Sequence, residues 1–173
     1  DRNLESFLKK NGKEEIIAEI RKICEIAEIR VVYQEAPRGL GDAILCAEEM
    51  VARENFLVIL PDVIIDSGVP ACKQLLDLCG EGWGLLLERV KRERVSSYGI
   101  VKAEEETNGS YRILGAVEKP RPSEAPSDLG IIGRYLFSAE IFDWIRRLRS
   151  GSLGEIQLTD AVNSLAKTKE SSG

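Results

Sequence analysis

Apolar residues recur along this chain with two different periods, and the switching between them predicts its elements. Over residues 13–28, Ile16, Ile17, Ile20, Ile23, Cys24 and Ala27 fall at helical spacing with charges opposite, which predicts an amphipathic helix. The short β-branched run IRVVY, 29–33, predicts a strand. Residues 40–52 place Ala43, Ile44, Ala47 and Met50 on one helical face. FLVIL, 56–60, is apolar at every position and predicts a strand covered on both faces. Pro70 opens a further helix that turns Leu75, Leu76 and Cys79 inward and stops at Gly80.

The second half continues the alternation. GWGLLLERV, 82–90, predicts a strand, and YGIVKAEE with YRILGAVEK predicts a hairpin turning at Asn108-Gly109. Pro120, Pro122 and Pro126 crowd the stretch 119–128 and predict an irregular loop. LGIIGRYLFS is again strand-like, and Ser138 is placed to cap a helix carrying Ile141, Phe142, Ile145 and Leu148. After an RSGSLG loop, Thr159 is placed to cap a last helix over 161–167, and KESSG predicts a frayed end. Strands alternating with helices, with one inserted hairpin, predict an α/β fold with a mainly parallel sheet, in a single domain over 1–173.

Composition narrows the function without naming it. The chain has 173 residues, 43% hydrophobic and 31% charged, and its net charge of −5 argues against a nucleic-acid partner. RVKRER, 89–94, is the one basic run and reads as a solvated loop. No apolar run approaches the roughly 20 residues that span a bilayer, and no secretory signal is visible, so no membrane partner is expected. Cys24, Cys46, Cys72 and Cys79 lack C-x-x-C spacing and the chain has no His, which favours buried free thiols in a reducing cytoplasm over a zinc site. Without His there is no Ser-His or Cys-His pair. Chemistry falls to carboxylates, Lys, backbone amides or a metal.

Three groups stand where an α/β sheet places ligands, beyond the carboxyl ends of its strands. Gln34 follows one strand and offers both a donor and an acceptor, which can match a nucleobase edge, and Gly39 and Gly41 open the backbone to a flat base or a phosphate beside a helix amino end. An ordinary strand-to-helix turn has the same pattern. Asp62 ends the apolar strand at LPD, where a carboxylate can hold Mg²⁺ or simply cap a turn. Glu118-Lys119-Pro120 leaves the hairpin with a carboxylate able to accept from sugar hydroxyls and an ammonium able to meet a phosphate, although a surface ion pair looks the same.

Taken together, QEAPRGLGDA, VILPD, SSYGIV, VEKP, SDLGIIGRY and GEIQLTDA occur in an order and spacing that resemble the bacterial UTP–glucose-1-phosphate uridylyltransferases, within the sugar-nucleotide pyrophosphorylases. The likeness runs from about Leu4 to Ala166. It implies a Rossmann-like nucleotide-diphospho-sugar transferase fold and the reaction of UTP with glucose 1-phosphate to give UDP-glucose and pyrophosphate. It further implies that Gln34 and Gly39 read the uracil, that Asp62 binds a bridging Mg²⁺, and that Gly99, Glu118 and Ile131 form the glucose pocket. Lys119 would approach the sugar's phosphate, and with Asp62 would carry the catalysis by positioning and charge neutralisation.

The chain departs from that pattern in three places. The Gly-rich, Arg-containing phosphate loop, G-x-G-T-R-x-x-P, has no match here, and neither does the Asp-Cys-Gly strand expected after EIQLTDA. Asp42 stands where related sequences often have His. The resemblance therefore implies a catalytic domain truncated at both ends, in which turnover by this chain alone is not expected. A missing first strand beside 56–60 would leave an apolar sheet edge open, so a homo-oligomer through that edge is expected. A non-catalytic nucleotide-sugar-binding module and a self-associating scaffold stand as alternatives.

Overall fold

A nine-residue strand, Leu129–Phe137, organises the sheet. The computed structural model describes residues 2–148 and 154–170, so the RSGSLG loop and the KESSG end lie largely outside the described residues. The strands are β1 (Phe56–Ile59), β2 (Gly84–Arg89), β3 (Gly99–Glu105), β4 (Tyr111–Glu118) and β5 (Leu129–Phe137). The helices are α1 (Arg2–Lys10), α2 (Glu14–Ile26), α3 (Leu40–Leu45), α4 (Glu48–Val51), α5 (Ala71–Cys79), α6 (Glu140–Arg147) and α7 (Leu158–Glu170). Two units divide the chain, one over residues 1–33 and one over residues 34–173.

In the first unit α1 and α2 form a helical hairpin turned at Gly12. Leu8 and Ile17 are its buried apolar pair, and Arg21 reaches back to Glu5 at 3.1 Å. The apolar stripe predicted for α2 is real in spacing, but of its residues only Ile17 is buried, while Ile23 and Ile26 stay exposed. The predicted strand 29–33 is not formed. No ladder among the described residues pairs with it, and β-branched composition without a hydrogen-bonding neighbour does not make a strand.

In the second unit every described ladder is antiparallel, which corrects the expectation of a mainly parallel sheet. Leu57 of β1 and Gly84 of β2 both face Leu136, so these two strands flank β5 and run in one direction with β5 reversed between them. Strands that alternate with helices still point the same way here; they are simply not neighbours. β3 joins β5 at Ile100↔Gly130 and carries β4 by a long hairpin with a bulge at Lys102/Ala103. The hairpin turn over Thr107–Gly109 is closed by Glu106 N–H to the Ser110 carbonyl at 2.8 Å.

Period-two alternation on β5 sends Leu129, Ile131, Tyr135 and Phe137 to one face, where Phe142 and Ile145 of α6 and Leu158, Val162 and Leu165 of α7 complete the main core. The other face is covered by α5, where Gly84 beside Leu136 leaves room for Leu75 and Cys79. β1 is less enclosed than its composition predicts: Phe56, Leu57 and Val58 are half-buried and Ile59 is 54% exposed. Its edge away from β5 has no partner strand among the described residues.

Local signals were partly overruled. Residues 40–52 break into α3 and α4 around Cys46-Ala47, and Met50 is exposed. Ser138 supplies its backbone carbonyl, not its hydroxyl, to the start of α6. Thr159 lies inside α7, and its hydroxyl is taken by Glu118. The four cysteines are free, as expected, but Cys24 is exposed and the other three only partly buried. Among the described residues no helix is long and apolar enough to cross a membrane.

The loop after β1 is fastened by Arg134. Its guanidinium donates to the Leu60 carbonyl at 3.1 Å, the Gly133 carbonyl at 2.9 Å and the Val63 carbonyl at 2.8 Å. Only a planar fork reaches carbonyls on both sides of Asp62 at once. Arg134→Met is expected to cost about 2 kcal/mol by urea denaturation, with Arg134→Lys recovering part of it. A change under about 0.5 kcal/mol would mean that water replaces the fork without loss.

Candidate functional site

The carboxyl ends of β1 and β4, with the start of β3 and the middle of β5, border one cleft of about 510 Å³. Asp62, Gly99, Glu118, Lys119 and Ile131, five positions singled out from sequence, all line it. Gln34 and Gly39 do not. Gly39 immediately precedes Leu40, which does line the cleft, and Gln34 is bonded to the Gly39 carbonyl.

Glu118 is the best-anchored acid in the cleft. β4 ends at Glu118, which faces Gly99 across the ladder, and its Oε2 accepts from the Thr159 hydroxyl at 2.6 Å. Gly99 is required by close approach: a Cβ there would stand 2.8 Å from Thr159 Oγ1 and 3.2 Å from both Glu118 Oε2 and Ile131 Cδ1. Three elements thus meet around one carboxylate, whose other oxygen lies 3.6 Å from Lys119 Nζ. Lys119 itself adopts φ +44°, unusual for a side-chain-bearing residue and more so before a proline. Its amide donates to the Tyr98 carbonyl at 3.0 Å, which holds the backbone there while 60% of the side chain stays exposed. An ammonium held loosely beside an anchored carboxylate can meet an anionic ligand without first leaving a buried partner.

Asp62 sits in the exposed turn after β1. Among the described residues no group pairs with its carboxylate, and no cluster of three His, Cys, Asp or Glu side chains could hold a metal. That donor set fits Mg²⁺, which is commonly held by one or two carboxylates with water and ligand phosphates completing its shell. It does not fit a metal that needs a closed protein cage.

The loop Arg38–Gly41 is pinned by the segment that precedes α7. Ile156 donates to the Arg38 carbonyl at 2.7 Å, and Gly41 donates to the Ile156 carbonyl at 2.9 Å. Gly39, at φ +98°, would bring a Cβ to 2.7 Å from that same carbonyl. The glycines expected to admit a base or a phosphate are therefore needed first for packing against Ile156. The helix amino end at 40 is also partly used, because its Gly41 amide is already bonded. Gln34 is half-buried, and its Nε2 donates to Asp42 Oδ2 at 2.6 Å and to the Gly39 carbonyl at 3.2 Å.

Sequence reading missed Thr159 as a partner of Glu118 and missed Tyr98 and Tyr135 as cleft residues. Tyr135 belongs to the core face of β5, so its pattern reads as packing; only the fold shows that it also borders Asp62 and Glu118. Burial raises its phenol from 10.0 to about 12, and the negative charges of Glu118 and Asp62 push the same way. Burial and the Glu118 charge likewise raise Asp160 above the usual carboxylate range.

The folded Tyr135 phenol holds its proton more tightly than the unfolded one. Its contribution is fully present below about pH 10 and is lost as pH rises towards about 12. Wild type should lose about 2 kcal/mol more than Tyr135→Phe across that window in urea denaturation. Parallel pH profiles for the two proteins would show the phenol to be solvated.

The nucleotidyl transferase family pattern matches residues 6–173. The UTP–glucose-1-phosphate uridylyltransferase of Streptococcus pyogenes is 40% identical over 173 aligned residues, covering 96% of this chain and 57% of that protein. The uridylyltransferase YngB of Bacillus subtilis is 38% identical over 167 residues, covering 95% of this chain and 56% of its own. A UDP-glucose pyrophosphorylase complexed with UDP-glucose superposes with a TM-score of 0.85 at 37% identity, over 91% of this chain and 61% of the other. The UTP-bound enzyme of Acinetobacter baumannii superposes at 0.69 with 32% identity, over 97% of this chain and 60% of its own. The chain thus spans under two thirds of each of these proteins. With its α/β sheet of the nucleotide-diphospho-sugar transferase type, this chain belongs to the nucleotidyl transferase family, and its relatives are UTP–glucose-1-phosphate uridylyltransferases.

Proposed function

We propose that this chain carries the sugar-phosphate side and part of the base side of a uridylyltransferase site, serving the reaction of UTP with glucose 1-phosphate. The observation that carries the reading is the convergence of Asp62, Gly99, Glu118, Lys119 and Ile131 on one cleft. In this reading Glu118, oriented by Thr159, accepts from glucose hydroxyls, and Ile131 packs beside the ring. Lys119 neutralises the sugar's phosphate and holds it for in-line attack of a phosphate oxygen on the α-phosphorus of UTP, with pyrophosphate leaving. Gln34 and Gly39 read the uracil. Asp62 would hold Mg²⁺, which supplies charge neutralisation at the phosphates when bound. Four free cysteines suit a reducing, cytoplasmic setting.

The sugar side is tested by calorimetry with UDP-glucose, in Mg²⁺ and then in EDTA. Binding should weaken on chelation. Glu118→Ala and Lys119→Ala should each lower affinity for UDP-glucose by about tenfold or more while changing UDP affinity by less than about twofold. No heat from a chain shown folded by circular dichroism would end this reading and leave a scaffold as the role of the fold.

The same proposal includes a second copy as partner, paired through the open edge of β1. Ile59, the last residue of β1, is 54% exposed, and unpaired strand edges with apolar side chains recruit strands. Sedimentation velocity at tens of micromolar should show a species larger than a monomer that Ile59→Lys disperses. A single monomer boundary for wild type would rule the pairing out.

A further inference from the structure

The Asp42 carboxylate accepts a hydrogen bond from the Gln34 side-chain amide. Gln34 Nε2 carries two hydrogens, and both have pure acceptors in place: Asp42 Oδ2 at 2.6 Å and the Gly39 carbonyl at 3.2 Å. Turning the amide over would set Gln34 Oε1 against a carboxylate oxygen and a carbonyl oxygen, three acceptors with no hydrogen among them. The orientation is therefore set by chemistry. Among the described residues no group donates to Oε1, so an acceptor is what Gln34 has left to offer.

We infer that Asp42 is a specificity-determining positioning residue: it fixes the Gln34 amide so that an acceptor faces the base, favouring a pyrimidine that presents N3–H over one that presents a bare N3. Uracil carries that hydrogen and cytosine does not. The inference rests on the proposal that Gln34 meets the base, and it adds why a symmetric-looking amide would discriminate. A carboxylate suits this task because it can only accept, so it tolerates one orientation of the amide. Its charge also strengthens the bond that must be broken to turn the amide over. The loop backbone supports the same orientation, since the Gly39 carbonyl is held in place where Gly39 and Gly41 pack on Ile156.

The test compares UDP with CDP, both with Mg²⁺, by calorimetry on wild type, Asp42→Asn and Asp42→Ala. Wild type should favour UDP by about tenfold or more, because a bare cytosine N3 against Oε1 leaves two acceptors facing each other. Asp42→Asn can donate as well as accept, so it permits both orientations, and the UDP/CDP ratio should fall towards one with CDP affinity rising. An unchanged ratio, or equal loss for both nucleotides, would make Asp42 merely structural and overturn the inference while leaving the base reading of Gln34 intact. Wild type that binds neither nucleotide would overturn the base reading and the inference with it. A ligand-free measurement stands beside these: the Gln34 side-chain NH₂ should exchange slowly with solvent in wild type and rapidly in Asp42→Ala. Fast exchange in wild type would also sink the inference.

Discussion

Strand β5 is bonded along both edges and covered on both faces, and the placement of the cleft residues follows from that constraint. β1 is aligned on one edge, so the turn holding Asp62 emerges at a defined height. β3 is docked further along the same edge, which puts Gly99 beside Ile131. β4 is then carried by β3 and delivers Glu118 opposite Gly99. Removing register from this one strand would move each acid independently of the others, because side-chain direction inverts with every residue of slip.

A second, smaller constraint links the Gly39–Gly41 loop to Glu118. The segment Glu155–Thr159 binds the Gly39–Gly41 loop through Ile156 and binds Glu118 through Thr159. The Gly39–Gly41 loop and Glu118 are thus tied to one short stretch just before and within the start of α7. Preorganisation of this kind suits phosphoryl and nucleotidyl transfer, where the protein contributes position and charge and little covalent chemistry. The absence of His from the chain is compatible with that economy.

The elements whose formation is local were legible beforehand. α5 is bounded by Pro70 and Gly80 as predicted and buries Leu75, although Leu76, expected inward, is exposed, and α6 buries Ile141, Phe142 and Ile145 as its spacing predicts. The β3–β4 hairpin formed around its Asn-Gly turn. Failures occurred where the outcome depends on a partner. Residues 29–33 have strand composition and no neighbouring strand, so they stay irregular. Residues 40–52 have one apolar face but are drawn towards Ile156 at their start, and they divide into two short helices. Cap residues behaved similarly, since the Thr159 hydroxyl had a charged acceptor, Glu118, and took it in preference to a backbone amide.

Sequence by itself determined the identity of the acids and the Lys, their positions at strand ends, the family resemblance and the α/β class, because these depend on residue order and local period. Tertiary structure alone decided the antiparallel neighbours of β5, the meeting of Glu118 with Thr159, the place of Tyr135 near the Asp62 and Glu118 carboxylates and the lock of Asp42 on Gln34. Each of these brings together residues distant in sequence or through a loop, whose separation in space the hydrophobic pattern does not encode. Tyr135 shows the difference most plainly. Its alternation assigns it to the core, and only the fold, with Asp62 after β1 and Glu118 at the end of β4, gives its phenol two charged neighbours.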